Sequence, residues 1–250
     1  TYDINKCDSG EKLMLDFVYY PTTQGHFIMT SIFRFHYKNY RNTIILDELH
    51  FTKQFIRKIK ENGSWDLVYV IKKYSKLRTY FYENIFFKKV YSGIFDLKGV
   101  NFIIFSFGSE FVNTVANSIC DKNNIFLSED GVFPYFGIDC INEYAAYGLK
   151  KTNFNKFKTI LREFINRKVI FDIGNISGFL VMQPEWLPKE ITCKYEIEKL
   201  DFSEKTICSA FDELTTLYGY ESKSSTYDVD IVFFDDGSVS NYVTTESERF

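Results

Sequence analysis

The feature that most constrains this chain is a beat. Short apolar runs, each followed by a segment of helical spacing, repeat from residue 12 to residue 128. The runs "KLMLDFVYY" (12–20), "NTIILD" (42–47), "WDLVYVIK" (65–72), "GVNFIIFSF" (99–107) and "NNIFLS" (123–128) are of strand length and rich in β-branched and aromatic residues. Between them, "HFIMTSIFRFHYKN" (26–39), "FTKQFIRKIKEN" (51–62), "KLRTYFYENIFFKKVY" (76–91) and "EFVNTVANSIC" (110–120) read as helices. In the second of these, Phe51, Phe55, Ile56 and Ile59 share one side. Strands alternating with helices predict an α/β fold with a mostly parallel sheet. Right-handed crossovers then set all strand carboxyl ends on one edge, where open sheets bind ligands. Three connections are therefore expected on one rim: the turn 21–26, the loop 106–109 and the turn 128–131.

After residue 131 the beat breaks. Residues 132–149 read as a long irregular loop, and "NFNKFKTILREFINRKVIF" (153–171) as a helix with a basic outer face. "MQPEWLPKEITCKYEIEKLD" (182–201) holds two of the four prolines and reads as a connecting segment. "SEKTICSAFDELTTLYG" (203–219) is helical with Ser203 as its N-cap. "YDVDIVFFDDG" (227–237) supplies one more strand. The expected organisation is a Rossmann-like domain over 1–180, a connecting segment and helix over 181–225, and the start of a second α/β domain over 226–250.

Composition narrows the class. With 45% hydrophobic and 25% charged residues the chain is globular, and 250 residues suffice for a sizeable core. A net charge of -3 gives no basic field for nucleic acid. Lys150, Lys151, Lys156, Lys158, Arg162, Arg167 and Lys168 form either a solvated helix face or a patch for anionic lipid or substrate. Five cysteines without CxxC spacing or a Cys/His cluster argue against zinc and for a reducing cytoplasm. No run approaches the roughly 18 apolar residues of a membrane span.

Two stretches drive an apolar run into two acids and a glycine. Glu129-Asp130-Gly131 ends the fifth strand, so its carboxylates are expected on the ligand rim, as plain turn residues or as a general base. Asp235-Asp236-Gly237 repeats the pattern later and is expected to be a turn. Asp228 and Asp230 have the DxD spacing of a cation site but precede their strand, which counts against a metal role. The turn Thr22-Thr23-Gln24-Gly25-His26 opens a helix with a glycine and offers backbone N–H groups to a substrate; Gly108-Ser109 opens a helix in the same way. His36 and His50 read as structural or solvated. No GxSxG, HExxH or Cys/His dyad supports a hydrolase or protease.

Taken together, "LDFVYYPTTQGHFIMTSI", "FLSEDGVFPYFG" and "DVDIVFFDDG" resemble the bacterial sialyltransferases of the lipooligosaccharide and polysialic-acid capsule type. The second stretch is similar to that family's motif of two acidic residues and a glycine. The resemblance implies a GT-B-like, metal-independent inverting glycosyltransferase without a cofactor, using CMP-sialic acid as donor and a surface-glycan hydroxyl as acceptor. The base role would fall to Glu129 or Asp130, and Thr22, Thr23, Gln24, Gly25, His26, Gly108, Ser109 and Gly131 would contact substrate. The expected protein is cytoplasmic and without a nucleic-acid partner, with peripheral association at the inner face of the plasma membrane and a homodimer as open options. The family's His-Pro motif has no counterpart among these residues and is expected beyond residue 250. Competing expectations are a surface-polymer transferase with another activated donor, or a non-catalytic glycan-binding or assembly module on the same scaffold.

Overall fold

The computed structural model describes residues 16–72, 92–106, 110–129, 133–147 and 172–219. The strands are β1 (Asp16–Tyr20), β2 (Asn42–Asp47), β3 (Leu67–Ile71), β4 (Val100–Ile104), β5 (Asn124–Ser128), β6 (Gly178–Val181) and β7 (Glu196–Lys199). They form one seven-stranded sheet in the order β3-β2-β1-β4-β5-β6-β7, and every neighbouring pair is parallel. The architecture is α/β and Rossmann-like. The chain steps outward from β1 to β3, returns to place β4 beside β1, and then builds the other half. The strand order thus reverses between β1 and β4, the position where sheets of this kind open a crevice for ligands.

Burial explains the strand sequences. β2 and β4 are buried at every residue, as strands covered on both faces require. Alternate side chains feed two separate cores: Val18, Tyr20, Phe102 and Ile104 point to one face, and Phe17, Tyr19, Ile103 and Phe105 to the other. The edges differ from the centre. β3 is only half-buried, and β7 carries Glu196, Glu198 and Lys199, charges that discourage further strand pairing.

On one face lie α1 (Gln24–His36), α2 (Lys53–Asn62) and the last described helix, Glu204–Tyr218. Phe55, Ile56 and Ile59 of α2 are buried together with Phe51, the stripe expected from their spacing. Each helix starts on a hydroxyl cap: Thr23, Thr52 and Ser203 accept the N–H of His26, Phe55 and Thr206. Gly63 and Gly219 end the second and last helices in the left-handed conformation that glycine enters without strain. On the other face lie α3 (Ser92–Phe95), α4 (Glu110–Ile119) and α5 (Ile138–Tyr147), which contribute Ile94, Val112, Val115, Ala116, Ile119 and Ile141. The short α6 (Lys189–Thr192) adds Ile191 there, and Glu204–Tyr218 is α7.

Two expectations are corrected. Within the stretch expected as an irregular loop (132–149), the described residues 133–147 are ordered elements: Phe133–Phe136 forms a 3-10 turn and α5 follows. Residues 182–201 do not simply connect: they hold a 3-10 turn at Pro184–Trp186, helix α6 and edge strand β7. The prolines sit at helix starts, where a missing N–H costs nothing. The helices expected at 76–91 and 153–171, the basic stretch and the segment 226–250 with Asp228, Asp230, Asp235 and Asp236 lie outside the described residues. No helix among the described residues is long and apolar enough to cross a membrane.

Candidate functional site

Three groups of side chains stand at the C-terminal edge of the sheet. The first is the turn after β1. His26 is 4% exposed, and its Nδ1 accepts the Thr22 N–H at 3.3 Å and lies 3.0 Å from Thr22 Oγ1. A backbone N–H only donates, so the neutral ring carries its proton on Nε2. The ring stacks on Phe105, immediately after β4, with centroids 5.2 Å apart. His26 and Phe105 therefore join the two sides of the switch point. Gln24 and Gly25 are exposed in the first turn of α1, where N–H groups lack intrahelical partners. A Cβ on Gly25 would meet Thr23 Oγ1 at an ordinary 3.7 Å, so the backbone itself does not demand glycine. Gly108 and Ser109 lie outside the described residues.

The second group is built on Glu129, one residue past β5. Its N–H donates to Leu180 O of β6 at 2.8 Å, which extends the ladder and fixes the backbone. Its Oε2 accepts two hydrogen bonds, from Tyr135 Oη and from the Met182 N–H, each 2.6 Å. Tyr135 Oη in turn accepts the Gln183 N–H at 3.2 Å. Burial and the bond to Glu129 push the Tyr135 phenol up to about 12, so it stays a donor. Trp186 meets the Tyr135 ring edge-on and is 67% exposed, giving aromatic surface next to the tyrosine that holds the carboxylate. Ser128 is buried, and its Oγ has no hydrogen-bond partner among the described residues. Asp130 and Gly131 lie outside the described residues.

The third group was not expected from the sequence. Asp47, the last residue of β2, is almost fully buried and accepts Tyr20 Oη at 2.7 Å. His50, read as structural or solvated, sets Nδ1 2.8 Å and 2.7 Å from the two Asp47 oxygens. Burial would push the Asp47 carboxyl up, but the bonds from His50 and Tyr20 outweigh it and hold the group below the ordinary carboxylate value. The bond to Asp47 raises His50 above the ordinary imidazole value. Asp-x-x-His at a strand end is the one signal that would have revealed the pair, because a tight turn brings such residues together. Nothing in the sequence marks Tyr135, whose position depends on a short helix that the apolar pattern does not show.

The strand order puts the ends of β1, β4 and β5 side by side. The turn 21–26 and Glu129 thus share a rim as expected, with Asp47 and His50 on its far side beyond β1. Among the described residues no group of three or more His, Cys, Asp or Glu is arranged to hold a metal ion. No protein-family model matches the chain, and no curated protein is significantly similar to it.

Proposed function

We infer that the chain is the Rossmann-like part of an inverting glycosyltransferase, with sialic acid carried from CMP-sialic acid to a glycan hydroxyl as the specific reaction. The observation that carries this reading is the setting of Glu129. It stands at the rim one residue past β5, and Tyr135 and Met182 hold one carboxylate oxygen while Oε1 takes no part in either bond. A carboxylate anchored by one oxygen is oriented to receive an acceptor's hydroxyl proton on the other. Exposed Trp186, edge-on to Tyr135, suits the apolar face of a sugar ring. The acidic motif of the resembled sialyltransferases supplies the donor's identity, and Asp130 is the second candidate for the base.

The test is sialyl transfer from CMP-sialic acid to a lipooligosaccharide acceptor by wild type, Glu129→Gln and Asp130→Asn. Loss of a positioned base lowers the rate by about 10²–10⁴-fold. Full activity in both variants would falsify the assignment of the base. Transfer from another nucleotide sugar alone would keep the site and replace the donor.

A further inference from the structure

The turn after β2 holds more hydrogen-bonding order than a turn requires. A strand-end aspartate that only shapes its turn accepts N–H bonds from the next few residues. Asp47 Oδ1 does this with Leu49 at 2.9 Å and His50 at 2.8 Å. Oδ2 takes two side chains instead, Tyr20 Oη and His50 Nδ1, each at 2.7 Å. An ionised carboxylate only accepts, so Nδ1 carries the proton and the lone pair of the neutral ring sits on Nε2. Nε2 makes no hydrogen bond among the described residues. The imidazole is 36% exposed and lines a cleft of about 310 Å³ with Gln24, Gln54, Lys58 and Tyr218. Tyr20 and Asp47 end adjacent strands, so the pair rests on rigid elements.

We propose that this cleft between α1, α2 and α7 binds a small polyhydroxylated molecule, a sugar or polyol. His50 Nε2 accepts a hydrogen bond from a ligand hydroxyl, and Asp47 fixes the ring in the accepting tautomer. Gln54, Gln24, whose Oε1 accepts Tyr218 Oη, and Thr52, whose Oγ1 caps α2, supply the mixed donors and acceptors that hydroxyl groups match, and Phe55 adds one apolar wall. Lys58 Nζ donates to Leu217 O at 3.0 Å, and the two further N–H groups of its ammonium can donate to ligand hydroxyls. The site is separate from Glu129 and does not rest on the transferase reading. Asp47 beneath the ring, Lys58 of α2 and Tyr218 of α7 are the other titratable groups at the cleft. Protonation of His50 turns Nε2 into a donor, so sugar binding weakens as pH falls through its raised value.

The test uses the intact chain labelled with nitrogen-15. Above neutral pH the ring-nitrogen spectrum is expected to show His50 protonated on Nδ1 and bare on Nε2. Millimolar glucose, lactose or myo-inositol is expected to shift Nε2 and to slow acylation of His50 by diethyl pyrocarbonate several-fold, with exposed His36 unchanged. Asp47→Asn abolishes the effect; if that variant does not fold, Tyr20→Phe, which removes one donor to Oδ2, weakens it. A ring protonated on Nε2 overturns the proposal, as does the absence of protection by all three probes. Protection by inorganic phosphate alone also overturns it and marks an anion site.

Discussion

At the scale of single residues, Asp47 and His50 make stability depend on pH in two opposite directions. His50 has its folded value raised, so its contribution is complete below its ordinary value of 6.5 and is lost as pH rises through the folded value. Asp47 has its folded value lowered, so its contribution is present above the ordinary 3.8 and is lost as pH falls through the folded value. The melting temperature of His50→Gln should therefore lie further below wild type near about pH 6 than near about pH 9. An equal gap at both values would show that the pair carries no charge-dependent coupling. Tyr135 offers a second test. Tyr135→Phe leaves Glu129 with the Met182 N–H alone and removes the acceptor of the Gln183 N–H. Because the phenol is partly solvated, we expect a loss near the low end for a bond to a charged group, about 1.5 kcal/mol by urea unfolding.

At the scale of elements, the β6–β7 edge depends on one glycine. A Cβ at Gly178 would lie 2.4 Å from Glu196 O, a backbone atom that cannot swing aside. Gly178→Ala must push β7 away, with an expected cost of about 1–3 kcal/mol and faster amide exchange confined to β7. On the opposite face α1 and α7 are joined by an ion pair between Arg34 and Glu213, both 13% exposed. Burial pulls the Arg34 guanidinium down, and Glu213 opposes that pull. Glu213→Ala leaves a largely buried cation with Ser64 O as its remaining acceptor and should cost about 3 kcal/mol. Arg34→Met with Glu213→Leu should recover most of that loss, because a buried pair is often replaceable by apolar packing. These elements also show what the pattern of apolar residues can reveal. β2 and α2 were legible because a doubly covered strand is continuously apolar and a half-buried helix carries a stripe. β7 was not, since Glu-Ile-Glu-Lys is the sequence of an edge and an edge resembles a linker. α5 was hidden by Pro134 and Gly137, which read as loop punctuation.

At the scale of the whole molecule, strand order decides which side chains can act together. The rim position of Glu129 was legible because it follows from strand alternation and the handedness of crossovers alone. The pairing of Asp47 with His50 and Tyr20 was not, because it depends on the geometry of one turn and on which strands are neighbours. That same order separates the two groups. Glu129 follows β5 and Asp47 ends β2, with β1 and β4 between them. Three strand spacings put them about 14 Å apart, beyond direct contact. Their hydrogen-bonded anchors differ: β6 and the turn at Tyr135 for Glu129, β1 for Asp47. Sites more than 7–10 Å apart with no shared partner change stability additively to within about 0.5 kcal/mol. Glu129→Gln and His50→Gln should therefore sum in the double variant when unfolding is followed in urea. A coupling well above that margin would mean that the switch point, where His26 stacks on Phe105, transmits strain between the two halves of the sheet.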